Sequence, residues 1–218
     1  MKLIKEPNGT IDLRGTMYPS RGEKITDGIA KTEPYSTIYG FVASGSVQLP
    51  NGWIAGQHQY FCYSSDRVET IQVAGTAVLI TRLGFKGQNL VGGPIEENGR
   101  LCYIDGCSDS LLVYPPRQGD PSLNLLYFPP NIDQTFHIHP SIRLGTVARG
   151  SGWACFADSE VALETGDLFT IEERELHRFR TDAGQEMTVI AFHPDGDWGP
   201  TDQNHTMLNR TYINIGGQ

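Results

Sequence analysis

The residue pair His137 and His139, in the run QTFHIHPSIRLGTVARG, has the spacing that puts two imidazoles on one face of an extended chain. Side chains of a strand alternate sides, so residues two apart point together. A third imidazole, His177, follows in GDLFTIEERELHRF, another stretch of strand character. Three imidazoles converging from two strands can hold one metal ion and leave coordination positions open for a substrate. Arg143 lies four residues after His139 and falls on the same inward face when counted by twos. There its guanidinium could hold an anion bidentately.

The elements that must position these groups read as β-strands. Short apolar runs rich in β-branched and aromatic residues (TIYGFVA, TAVLITRLGF, SLLVY, LNLLYF, VALETGDLFTI, MTVIAFH) are separated by glycine and proline. Windows with a 3.6-residue apolar stripe are missing, so the chain reads as all-β, a sandwich or barrel. A faint internal repeat supports this. Gly40-Phe-Val-Ala-Ser-Gly45-Ser46 parallels Gly145-Thr-Val-Ala-Arg-Gly150-Ser151 at a distance of about 105 residues, and each copy is followed by Gly-Trp once a five-residue insertion (Val47–Asn51) is allowed in the first. The expected organisation is two tandem domains, residues 1–110 and 111–218, with a Pro-rich connector Tyr114–Pro130 at the junction. Counting back from His137 and His139 lands on Thr32 and Pro34, and Arg67 is the nearest counterpart of His177. Only the second domain is therefore expected to bind metal.

The spacings in residues 131–181 resemble the two signature motifs of the cupin superfamily. The first motif, G-x5-HxH-x3-4-E-x6-G, reads here Asn131, His137-x-His139, Arg143 and Gly150. The second, G-x5-PxG-x2-H-x3-N, reads Gly166, Glu172-x-Arg174, His177 and Thr181. The intervals hold while several identities change. The resemblance implies a double-stranded β-helix, the jelly-roll barrel of cupins, with His137, His139 and His177 as metal ligands and a first domain that has lost them. The usual glutamate ligand is replaced by Arg143, which has no lone pair to offer a cation. A carboxylate from Glu172, Glu173 or Glu175, or the ring of His193, could complete the site. Tyr127, Arg149 and Trp153 are candidates for lining the cavity.

Among cupins, sites with three histidines and no glutamate resemble those of iron dioxygenases acting on thiols, diketones or aromatic diols. The resemblance thus implies Fe(II), with manganese, nickel and zinc as alternatives, and an oxygenase acting on a small anionic or chelating molecule. Two other readings stay open. One is a metal-dependent isomerase, epimerase or lyase, with Glu172 or His193 moving a proton. The other is a non-catalytic cupin that senses a small ligand.

Composition narrows the partners. The 218 residues carry a net charge of −8 and a pI near 5.2, which speaks against nucleic acid. No run is long and apolar enough to span a bilayer, and Met1–Gly15 lacks the apolar core of a signal peptide, so a cytoplasmic protein is expected. The cysteines at 62, 102, 107 and 155 match no redox or zinc pattern and are expected to be reduced. Cupins often pair through exposed sheet edges, so the resemblance also allows a homodimer.

Overall fold

Two curled antiparallel sheets, one from each half of the chain, pack face to face. The structure is a computed structural model and describes residues 1–209. The first sheet contains β2 (Gly9–Leu13), β3 (Ser20–Lys31), β4 (Ser36–Gln48), β6 (Tyr60–Ser65), β7 (Thr70–Leu83) and β8 (Leu90–Gly92) in the order β2-β3-β7-β4-β6-β8, with β5 (Ile54–Gly56) on β4. The second runs β1-β14-β12-β16-β11-β10-β9. Its strands are β1 (Leu3–Ile4), β9 (Leu101–Cys102), β10 (Ser108–Val113), β11 (Ser122–Phe128), β12 (Arg143–Phe156), β14 (Leu168–Ile171) and β16 (Met187–His193). The far end of β12 also pairs with β13 (Glu160–Glu164) and β15 (His177–Arg180). The all-β expectation holds. Among the described residues, no helix is long and apolar enough to cross a membrane, and the four cysteines are free thiols.

Membership changes from the first sheet to the second between β8 and β9, ahead of the expected division at residue 110. The reason is that β10 pairs with β11 and so joins the second sheet. In addition, β1 leaves the first half altogether and pairs with β14.

One long strand in each half serves two parts of its barrel. β12 pairs with β14 and β16 through its first half and with β13 and β15 through its second. The turn between the two is a β-bulge at Val147/Arg149 followed by Gly150 at φ +75°, where an added Cβ would lie 1.9 Å from the Glu186 carbonyl oxygen. β4 repeats the device: a bulge at Val42/Ser44, then Gly45 at φ +74° with the Ala74 oxygen 2.0 Å from an added Cβ. Only glycine tolerates that conformation together with that approach. Each long strand also has a glycine under an aromatic ring, Gly40 beneath Phe61 and Gly145 beneath Phe169.

Alternation along these strands feeds separate cores. Ile38 and Val42 of β4 face the interior of the first barrel with Phe61 and Leu79. Val147 of β12 faces the second interior with Phe128, Phe169 and Phe179. The opposite faces meet each other: Tyr39, Phe41 and Val78 pack on Leu123, Leu144 and Phe192, with the Tyr39 and Phe192 rings 5.0 Å apart. Strands buried on both faces explain why the runs read as nearly continuous apolar stretches.

Candidate metal centre

His137 and His177 are placed by a single antiparallel bridge. The His137 N–H donates to the His177 carbonyl at 2.9 Å and the His177 N–H donates to the His137 carbonyl at 3.0 Å. Segment 134–142 before β12 is extended but is not a strand, contrary to the simplest reading of the HxH run. Alternation survives there because both ends are held. Gln134, 2% exposed, accepts the Phe179 N–H on its side-chain oxygen at 3.2 Å and donates its own N–H to the Phe179 carbonyl at 3.1 Å. Further on, the His139 carbonyl accepts the Arg174 N–H at 2.9 Å. Phe136 and Ile138 point outward, and His137 and His139 turn in towards buried His177.

The three rings converge. Centroid separations are 4.6 Å for His137–His177 and 5.1 Å for each pairing with His139, and one ring nitrogen from each lies within 4.8 Å of the others. Nδ1 of His177 is 2.8 Å from the Glu175 carbonyl oxygen and Nδ1 of His137 is 2.9 Å from that of Thr135. A carbonyl only accepts, so each Nδ1 carries the proton and Nε2 presents a lone pair. Nε2 of His177 is buried without a hydrogen-bond partner. Burial, reinforced by Arg143 and the neighbouring rings, pushes His139 down to about 3. Burial also lowers His177 to about 4, against the opposing pull of the Glu175 carbonyl. Both rings are therefore neutral at ordinary pH, the form that ligates. An orphaned lone pair, backbone-fixed tautomers and neutral rings together fit a divalent cation. Among the described residues, no carboxylate joins this group.

Behind the rings lies a chamber of about 80 Å³, bordered by His139, His177, Arg143, His193, Asn124 and Asp109 among others. Arg143, 13% exposed, donates from Nη1 to Ser141 Oγ at 2.6 Å and to the Ile142 carbonyl at 2.9 Å, with Asp195 at 3.9 Å. Its Nε is buried and unpartnered. His193, at the end of β16, is held well below the ordinary histidine range by burial and by the charge of Arg143.

The other sequence candidates point elsewhere. Tyr127 alternates with Leu126 on β11, so it faces away from the chamber and donates to Glu186 at 2.8 Å. Arg149 follows the bulge, which reverses the alternation, and reaches the Glu96 carbonyl in residues 93–100, the segment after β8 that forms the connector between the two sheets. Trp153 is 45% exposed, donates to Asp182 at 3.0 Å and lies under Arg180. Glu172 uses its backbone N–H to donate to the Glu175 carboxylate at 2.8 Å and does not border the chamber. The structure brings in Asp109 and Asn124 instead. Asn124 was visible as the polar residue inside the apolar run LNLLYF, in phase with Leu126 and Phe128, whereas Asp109 in SDSLLV carried no such signal.

Comparisons with known proteins agree with this geometry. The chain resembles the cupin 2 conserved barrel domain protein from Leptotrichia buccalis at a TM-score of 0.61 and 11% identity, with 89% of each chain covered. The fold is a cupin barrel. Salicylate 1,2-dioxygenase from Pseudoaminobacter salicylatoxidans, solved as its adducts with gentisate, matches this chain at a TM-score of 0.59 and 11% identity, over 86% of this chain and 74% of that one. Oxalate decarboxylase from Bacillus subtilis, studied for its Mn(II) centers, matches at 0.54 and 11% identity, over 87% and 73%. The family model of the AraC-like ligand binding domain matches residues 126–206, the stretch that holds the three histidines. No curated protein matches in sequence. The family match and the structural neighbours together support the cupin superfamily.

Proposed function

We propose that this cupin is a mononuclear metal enzyme, an iron-dependent oxygenase of a small anionic, chelating molecule. The observation that carries the reading is a set of three imidazoles without a carboxylate, beside a buried guanidinium whose Nε has no partner. His137, His139 and His177 would hold the ion through neutral nitrogens, so its full charge stays available to an anionic substrate. Bound there, Fe(II) would supply open positions and redox chemistry towards dioxygen.

Arg143 orients the substrate by pairing with its anionic group in a chamber where water is scarce and the attraction is strong. The neutral ring of His193 faces the same space and can hydrogen-bond a substrate hydroxyl. The apolar walls of Phe169, Ile171 and Phe179 keep bulk water from the reacting head group. Two neighbours of the same fold act on anions by their names, a salicylate dioxygenase and an oxalate decarboxylase. Manganese, nickel and zinc fit the same ligands. We also infer that the two sheets are tandem cupin units, the first of which has no metal ligands.

A second reading is favoured by the AraC-like ligand-binding match: a module that binds a small molecule without transforming it. The isomerase or lyase reading loses Glu172 as its base, because that residue lies outside the chamber. Metal analysis of protein purified without added metal, followed by dioxygen uptake with hydroxybenzoates, catechols, diketones and thiols, separates the readings. Iron together with uptake on one of these classes supports the oxygenase. Iron-loaded protein that consumes no dioxygen, yet still binds a ligand after His137→Ala, overturns it in favour of the binding module.

A further inference from the structure

A second cavity, of about 940 Å³, lies outside the second barrel under the connector between the sheets. It is more than ten times the volume of the metal chamber, whose 80 Å³ has room for about two or three waters. Tyr60, Ile95, Leu112, Tyr114 and Trp198 give it an apolar, aromatic lining. Asp109, Asn124 and His193 border both cavities, so a single layer of side chains separates the large one from the metal chamber.

The outer walls are held by hydrogen bonds. The segment carrying Trp198 is sewn to the turn after β10: Gly119 N–H donates to the Gly196 carbonyl at 2.7 Å, Gln118 N–H to the Pro200 carbonyl at 2.9 Å and Gln118 Nε2 to the Asp197 carbonyl at 2.8 Å. The connector is pinned by Ile95 N–H to the His58 carbonyl at 2.9 Å and by Arg149 to the Glu96 carbonyl. The charges on the outer wall are already paired, Arg100 donating to Glu96 at 2.6 Å and Ser110 to the same carboxylate at 3.1 Å. At the mouth the Tyr114 and Trp198 rings sit 6.2 Å apart, and both are more than half exposed. Polarity therefore rises inward, from aromatic rings at the lip to His193, Asn124 and Asp109 at the shared wall.

We propose that this cavity binds the aromatic body of the substrate, whose oxygen-rich anionic head passes His193 to reach the metal chamber. The inference rests on the oxygenase reading for the head group and on the cavity alone for the body. It makes the substrate a molecule of at least two parts: a chelating acid too small to fill the cavity and a flat apolar extension that fills it.

Calorimetric titration of the purified protein with three probes tests this: salicylate for the head alone, 4-phenylsalicylate for head and body, and 4-phenylphenol for the body without the acid. The phenyl group should tighten binding at least about 10-fold over salicylate. In the Tyr114→Ala/Trp198→Ala protein the ratio of the two dissociation constants should fall towards one. A phenyl group that brings no gain, or a gain that survives loss of both rings, overturns the proposal. His137→Ala separates it from the metal reading. Loss of salicylate binding with 4-phenylphenol retained supports both. Unchanged affinities for all three probes, with the dependence on Tyr114 and Trp198 intact, leave the cavity assignment standing and remove the metal from substrate binding.

Discussion

The two halves place different residues on closely similar frames. Both long strands carry a bulge and a left-handed glycine at the bend, and both have a glycine under a phenylalanine ring. Where β12 begins with Arg143 facing the second interior, the matching position of β4 is Ile38, 1% exposed in the first core. Where His137 and His177 exchange backbone hydrogen bonds, Thr32 donates to the Glu69 carbonyl at 3.0 Å and accepts the Glu69 N–H on Oγ1 at 2.7 Å. The Glu69 carboxylate is then saturated by Ser65, Tyr63 and Arg67 at 2.7 to 3.0 Å. The first interior is filled: its acidic group is satisfied by its neighbours, and among its buried side chains the Thr81 hydroxyl is left without a partner. The second leaves a lone pair on His177 and a guanidinium nitrogen unanswered. On the proposed reading, one kind of frame serves as filler in the first half and as reaction vessel in the second, according to a few inward positions.

The comparison breaks most sharply at the imidazoles. His177→Ala should cost more than about 100-fold in metal affinity, since even outer partners of such ligands are worth 10- to 100-fold. Metal content and calorimetry would show it, and the same change at Arg67 in the first half should leave metal content untouched. Arg143→Leu should convert the second interior towards the first. The expected result is an anion affinity about 10- to 100-fold lower with the metal retained, because a charge-assisted hydrogen bond contributes roughly 1.5–3 kcal/mol. Titration with salicylate in metal-loaded protein would measure it.

Gly40→Ala and Gly145→Ala sharpen the likeness. The new methyl would meet Phe61 at 2.1 Å or Phe169 at 2.5 Å, and each change should destabilise by about 1–3 kcal/mol in urea unfolding. Very unequal penalties would argue that the two frames are not equivalent. Acid should separate the halves more gently. His139 and His177 are depressed from 6.5 to about 3 and 4, so the unfolded chain binds protons there first. In metal-free protein, the stability present above pH 6.5 is lost progressively as pH falls towards 3. Glu69, depressed below 4.5 mainly by its hydrogen bond from Ser65, sheds its contribution only at lower pH. Amide exchange near pH 5 should therefore rise around residues 134–142 and β15 before it rises in β4 and β7.

The parts of the site that could be read from sequence are those governed by alternation. His137, His139 and Arg143 share a face, and counting by twos finds them even though segment 134–142 is not a strand. Gly45 and Gly150 of the repeat are equally visible, since their left-handed backbone suits no other residue as well. Arg149 and Trp153 were misplaced because the bulge at Val147/Arg149 changes the phase and the far end of β12 turns one face to solvent. Tyr127 was chosen for its residue type, while its phase on β11 pointed the other way. Asp109 comes from a strand distant in sequence whose place beside β11 is a matter of topology, which local pattern does not encode.

The pairing of β1 with β14 has a consequence for how the molecule can be divided. Two residues from the start of the chain act as a clasp across to the half that holds the histidines, with Met1 and Leu3 lying over its apolar interior. Cutting the chain at the junction would free β14 to recruit a neighbouring molecule along its bare edge. The edge of the histidine-bearing half is thus covered by residues that belong in sequence to the other half.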